Sequence, residues 1–173
     1  MPIHYDAWVV ALRENGASFE FTEEEFYAGA GIHEHDIVAQ LNAKHGTSVD
    51  PDAVAEMKMR LLPGLAGNLQ LIAPVAAFAQ SRIGIAPMSV ASGSPEELVR
   101  LFLEKTGILG WFQTIVTPAN VAKGKPAPDM FLLAAERMGV DPRDCLVFED
   151  GQSGVEAAKA AGMEVVFVPR PGR

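Results

Sequence analysis

The sequence predicts an α/β protein, a parallel core sheet joined to a smaller helical region. Three observations carry that expectation. From about residue 5 to 62, apolar residues recur only at helical spacing. From about 71, short strand-like runs alternate with helical stretches. The loops between them are short, which implies parallel strands with right-handed crossovers.

In the first region Tyr5, Trp8, Val9 and Leu12 fall on one helical face, and Gly16 ends the run. Trp8 reads as a packing residue. Thr22 followed by Glu25 forms a capping-box pattern that opens a short helix. Ile37, Val38 and Leu41 mark another helix, stopped near Gly46. Asp50-Pro51 supplies an N-cap with proline in the first turn of DAVAEMKMRLL, and Pro63-Gly64 is expected to break that helix.

In the second region IAPMSVA (85–91) reads as a strand, although Pro87 removes a ladder donor unless the strand begins after it. A helix follows from Pro95 to Lys105, framed by Ser94 and Glu97 as a second capping box and closed by Gly107. TIVT (114–117) is the next strand, leading to a helix from about Pro128 to Met138. CLVF (145–148) leads to a helix at 154–161, and EVVFV (164–168) is the last strand.

The chain has 173 residues, 49% of them hydrophobic, enough for one sizeable core with a small appended domain. Its formal charge of -8 argues against nucleic acid or an anionic membrane as partner, since both reward clustered Lys and Arg. A small anion at a locally positive site remains compatible. A single cysteine, Cys145, precludes an intrachain disulfide and reads as a small buried hydrophobe. MPIHYDAW lacks the basic and apolar regions of a signal peptide. The longest apolar run, 71–79, is too short for a bilayer and contains Pro74. A cytoplasmic location is expected.

Ligands in open α/β sheets bind at the carboxyl ends of the strands. The first strand ends in Ser92-Gly93-Ser94, before a helix N-terminus, where free N–H groups and a hydroxyl favour an anion. Capping accounts for Ser94 but not for Ser92. The second strand leads to Lys125, which the following Pro126-Ala127-Pro128 holds on a stiff backbone; Lys123 competes but lacks that flank. The third ends in Glu149-Asp150, two adjacent carboxylates that repel unless a cation neutralises them. Hard oxygen donors at such a place suit Mg²⁺ together with phosphate oxygens.

Serine, lysine and paired carboxylates in this order, each at a strand end, compose a phosphate-and-magnesium site. MSVASGS, KGKPAPDMF and CLVFEDGQSGVEAAKAAGM resemble the second, third and fourth motifs of the haloacid dehalogenase superfamily. KPAPD, FED and the following G-x-x-A-A-x-x-A-G point to the subgroup of β-phosphoglucomutase and sugar phosphatases, fructose-1-phosphatase-like enzymes among them. The resemblance implies a Rossmann-like core at 71–173, a helical cap at 9–70 and a short segment at 1–8 leading into the cap. It also implies a Mg²⁺-dependent phosphatase for a small phosphorylated metabolite of sugar-phosphate type. Ser92 and Lys125 would be catalytic, Ser92, Gly93 and Lys125 phosphate-binding, and Asp150 with Glu149 the metal ligands. As substrate candidates, His4 matches a histidine near the cap entrance and Lys58 a cap lysine that faces substrate.

Members of that family open with an apolar strand ending in Asp-x-Asp-Gly, whose first aspartate forms an aspartyl-phosphate and whose second is the general acid/base. The resemblance therefore implies that the first core strand, with its nucleophile, is missing from this chain. Asp50-Pro51-Asp52 has the spacing but follows GTSV rather than an apolar strand, and reads as a helix cap. The missing strand would lie between those ending at Ser92 and Glu149, and each hydrogen bond lost there costs about 1 kcal/mol. Three outcomes are open: a chain shortened at its start, a rearranged pairing, or a second molecule in the gap. His33-Glu34-His35 reads as polar surface, with Glu34 near the place where mutase-type relatives carry an arginine. That departure disfavours a mutase and leaves two function classes, a phosphatase and an inactive phosphate- or metal-binding or interaction protein.

Overall fold

A computed structural model describes residues 2–29 and 34–169. The chain divides into two compact units, residues 1–69 and 70–173.

The N-terminal unit is helical. Helix α1 (Pro2–Glu14) packs on α4 (Pro51–Leu65), with α2 (Glu23–Ala28) and α3 (Glu34–His45) completing the unit. Trp8, Leu12, Phe21, Phe26, Val38, Leu41 and Val54 form its buried core. That is the face the helical spacing marks, with Tyr5 and Val9 packed at its margin. The predicted caps are present. The Thr22 side chain accepts from the Glu25 N–H while the Glu25 carboxylate accepts from the Thr22 N–H. Asp50 accepts from the Asp52 N–H with Pro51 in the first turn, so Asp50-Pro51-Asp52 is a helix cap. The expected break at Pro63-Gly64 does not occur: α4 runs through Pro63 to Leu65. So near the helix end, one missing donor costs little that fraying would not already cost.

The second unit alternates strands and helices. Its elements are α5 (Ala73–Arg82), β1 (Ser89–Ala91), α6 (Glu96–Lys105), β2 (Thr114–Val116), α7 (Asp129–Met138), β3 (Leu146–Glu149), α8 (Gln152–Ala160) and β4 (Glu164–Phe167). Helix α5 is not anticipated from the sequence, and Pro74 in its first turn is the signal that marks it. β1 begins two residues after Pro87, so the proline stays out of the ladder. Helix α6 begins at Glu96 with Pro95 at its N-cap and no side-chain cap, so the Ser94–Glu97 capping box does not form. Ser94 instead donates its N–H to Ser92 Oγ. Gly139 ends α7 in the left-handed conformation, φ 68°, which explains glycine there.

β1 pairs with β2 and β3 with β4, both in parallel register, Val90 opposite Ile115 and Val147 opposite Val165. Among the described residues no ladder joins β1 to β3. The core is layered: Phe131 and Ala135 of α7 pack with Ala157 and Ala158 of α8 against Ala91, Val147 and Val165. Cys145 is half-buried rather than buried, its Sγ lying 3.5 Å from the Asp141 carbonyl.

Candidate active site

Two loops and a helix start bring the strand-end residues together in the second unit. After β2 the chain turns at Thr117, fully buried, whose N–H donates to Asn120 Oδ1 at 2.8 Å. That turn aims the following loop back toward β1. The loop delivers Lys125, whose Nζ donates to the Ala91 carbonyl at 3.2 Å and to Glu149 Oε2 at 2.6 Å. The ammonium also stands 4.9 Å from the centre of the Phe131 ring. Lysine and glutamate side chains are 17% and 13% exposed, so the pair is largely desolvated. Lys123, the competing lysine, is exposed.

Glu149 is held at both oxygens. Its Oε1 accepts from the Asp150 N–H at 3.0 Å and the Gly151 N–H at 2.9 Å, at the start of α8. Its Oε2 takes Lys125. Burial pushes the Glu149 carboxyl upward, but the Lys125 ammonium and these N–H donors leave it below the usual carboxylate range. Gly154, buried one turn into α8, is part of this arrangement: a Cβ there would land on the Glu149 carboxylate. Asp150 is pushed the other way, first by burial and then by the Glu149 charge. A further cation beside that half-buried carboxylate would favour its charged form.

Ser92 is half-buried and Gly93 exposed, both following β1. The Ser92 N–H continues the ladder to the Val116 carbonyl, and its Oγ accepts from the Ser94 N–H at 3.2 Å. Capping does not explain Ser92, but a local turn engages its hydroxyl as acceptor and leaves the hydroxyl proton to be donated. Because Lys125 holds the Ala91 carbonyl, Ser92, Lys125, Glu149 and Asp150 belong to one strand-end cluster.

Donor chemistry decides what metal this cluster suits. No group of three or more His, Cys, Asp or Glu able to hold a metal occurs among the described residues. Asp150, with a carboxyl raised by burial and by its neighbour, fits an ion that takes one or two carboxylates and completes its shell with water and phosphate, as Mg²⁺ does. Glu149 fits a supporting place, since Lys125 and two N–H groups already occupy its oxygens.

The other two candidates lie in the N-terminal unit. Lys58 is 5% exposed on α4, its ammonium 4.9 Å from the Trp8 ring centre and paired with Glu34. Burial pulls its ammonium down to about 8 despite that carboxylate. Burial first, and the Lys58 charge among the further causes, hold the His4 imidazole at about 4. Glu34 is thus a partner of Lys58 rather than plain polar surface, and His35 Nε2 lies 3.1 Å from Asp52 Oδ1. His33 lies outside the described residues. Sequence reasoning missed the Glu34–Lys58 pairing, the Phe131 ring under Lys125, and the room that Gly154 leaves for the Glu149 carboxylate. Of these, only the last left a readable sign, the glycine that opens the G-x-x-A-A-x-x-A-G run.

Comparison with known proteins places the chain in a family. A family model described as a haloacid dehalogenase-like hydrolase matches residues 1–162. The chain is 33% identical over 167 residues to the fructose-1-phosphate phosphatase YqaB of Escherichia coli, covering 96% of this chain and 88% of that protein. It is 30% identical over 173 residues to a phosphorylated carbohydrates phosphatase of Thermotoga maritima, 96% of this chain and 77% of the relative. Among solved structures, a HAD hydrolase of family IA, variant 3, from Entamoeba histolytica superposes with a TM-score of 0.72 at 26% identity, covering 95% of this chain and 76% of the other. CbbY from Rhodobacter sphaeroides in complex with phosphate gives 0.75 at 23% identity over 98% and 80%, a likeness of fold. A match that runs through both units and all three strand ends described above has one conclusion: this chain belongs to the haloacid dehalogenase-like hydrolases.

Proposed function

We propose that the protein is a Mg²⁺-dependent phosphatase acting on a small phosphorylated metabolite, with a sugar phosphate the preferred class. The observation that carries this reading is the placement of Lys125 Nζ. It sits 2.6 Å from Glu149 Oε2 and 3.2 Å from the Ala91 carbonyl, the residues that precede Asp150 and Ser92 in the chain. On this reading the Ser92 hydroxyl and Gly93 N–H hold the transferring phosphoryl group and Lys125 neutralises its charge. Asp150 binds Mg²⁺ with Glu149 in support. The ion, when bound, supplies positive charge to the phosphoryl oxygens. Phosphoryl transfer is catalysed chiefly by such positioning and charge. The activity of the Escherichia coli relative, by its name a fructose-1-phosphate phosphatase, supports the substrate class. His4 and Lys58 are the N-terminal unit's candidates for recognising the rest of the substrate.

The carboxylate that accepts the phosphoryl group is none of these side chains, and we assign it to a segment outside residues 1–173. The test is to extend the chain by the codons in frame upstream of Met1 and assay phosphate release from fructose 1-phosphate and a sugar-phosphate panel. Mg²⁺-dependent turnover by the extended chain, absent from residues 1–173 alone, is the expected result. A stop codon immediately upstream, or an extended chain that binds phosphate without turnover, would replace this reading with that of a binding module.

A further inference from the structure

Phe131, near the start of α7, answers two demands. It is buried, and it packs with Ala135 of its own helix and with Ala157 and Ala158 of α8. A leucine of similar bulk would meet that demand. The second is one that no aliphatic side chain meets: the Lys125 ammonium stands 4.9 Å from the ring centre. That is inside the distance, about 6 Å, at which a cation is drawn to an aromatic face.

One short piece of chain sets both residues. The Ala127 N–H donates to the Gly124 carbonyl at 3.0 Å, and the Phe131 and Leu132 N–H groups donate to the Pro128 carbonyl at 3.0 Å each. The turn that carries Lys125 thus runs directly into the helix that carries the ring, and Pro126 and Pro128 stiffen the link. The contacts on the ammonium suit an anion. Of its three N–H donors, the Ala91 carbonyl takes one and Glu149 Oε2 another, which leaves the third for a ligand oxygen. Glu149 already balances the lysine charge, so a second carboxylate beside it would repel phosphate. A carbonyl and a ring face hold the ammonium without adding negative charge, and the ring acts more strongly because the lysine is largely desolvated.

We infer that Phe131 is a positioning residue of the candidate active site, whose ring face holds the Lys125 ammonium in place for the phosphoryl oxygens. The inference rests on the phosphatase reading and deepens it, giving a role to a core residue that acts through Lys125 alone. Without the ring the ammonium is free to leave its place. An anion then binds only the fraction of molecules with the lysine set, and its apparent affinity falls by that fraction. The competing reading, a core phenylalanine with a lysine nearby, makes only the shape of the ring matter.

The test alters the charge of the ring face and nearly keeps its shape. Phe131 is replaced by phenylalanines carrying one, two and three ring fluorines, which progressively withdraw negative charge from the face. The series is made in residues 1–173 and again with Lys125→Met. Two constants are read, for unfolding in denaturant and for dissociation of inorganic phosphate with Mg²⁺ present. With Lys125 in place, the unfolding constant is expected to rise stepwise to about tenfold at three fluorines, and the phosphate dissociation constant by about threefold or more. In Lys125→Met the unfolding constant does not follow fluorine number. Unfolding that follows fluorine number equally in Lys125→Met would show packing alone and overturn the inference. A stepwise rise in unfolding with unchanged phosphate affinity would overturn it too, leaving the ring a stabilising contact without a part in anion binding. Absence of phosphate binding by the unaltered chain would instead fail the phosphatase reading, and the inference with it.

Discussion

Glu149 sits at the junction of three demands: it pairs with Lys125, it accepts the first N–H groups of α8, and it lies against Gly154. Gly154→Ala therefore displaces the carboxylate and frees Lys125 from its place. The expected cost is about 1–3 kcal/mol in denaturant unfolding together with weaker phosphate binding. Gly151→Ala is the control, because its Cβ would meet Glu149 Oε1 at an ordinary 3.4 Å. Lys125→Met leaves a desolvated carboxylate without its cation and lowers stability by about 3 kcal/mol, read by the same unfolding curves. His4 gives a pH signature. Its imidazole titrates at about 4 in the folded protein against 6.5 in a free chain, so between those values the unfolded state binds more protons. Stability then rises with pH from 4 to 6.5 and is lost as pH falls through that window. His4→Gln flattens the slope there, while a slope from Glu25, held at about 2, persists at lower pH. Position along the chain made Ser92, Lys125, Glu149 and Asp150 legible as candidates, since each lies at the end of a strand or in the loop after it. Which oxygen of Glu149 meets which donor depends on side-chain torsions that no spacing encodes.

Local chemistry made most elements readable from sequence. The Thr22–Glu25 box and the Asp50-Pro51 cap are contained within a few residues and form as expected. Asp50→Ala is expected to lower stability by about 1 kcal/mol, whereas Asp50→Asn keeps the cap and changes stability by a few tenths. Neither variant alters phosphate binding, and an effect of Asp50→Asn on turnover would return that aspartate to the active site. Where tertiary contacts decide, sequence reading fell short. Helix α5 lacks a strong polar–apolar alternation and shows only its proline. Pro63 stays helical because α4 is already packed on α1. Ser94 gives its N–H to Ser92 instead of capping α6, a choice between two local hydrogen bonds that the letters alone leave open.

At the scale of the molecule, an acidic chain is compatible with the proposed anion site because the positive charge there would be local. Lys125 is set against Glu149 and aimed by a strand end, on a protein whose formal charge is -8. The alternation of strands and helices made the parallel core legible; the separation into two ladders depends on which edges meet and not on periodicity. No single helix among the described residues is long and apolar enough to cross a membrane. The most direct measurement is calorimetric titration of inorganic phosphate into residues 1–173, with and without Mg²⁺, for the unaltered chain, Lys125→Met and Asp150→Ala. The account predicts saturable binding strengthened by Mg²⁺, weakened by about tenfold or more in Lys125→Met and made insensitive to Mg²⁺ in Asp150→Ala. Binding that ignores both substitutions, or none in the unaltered chain, would contradict it.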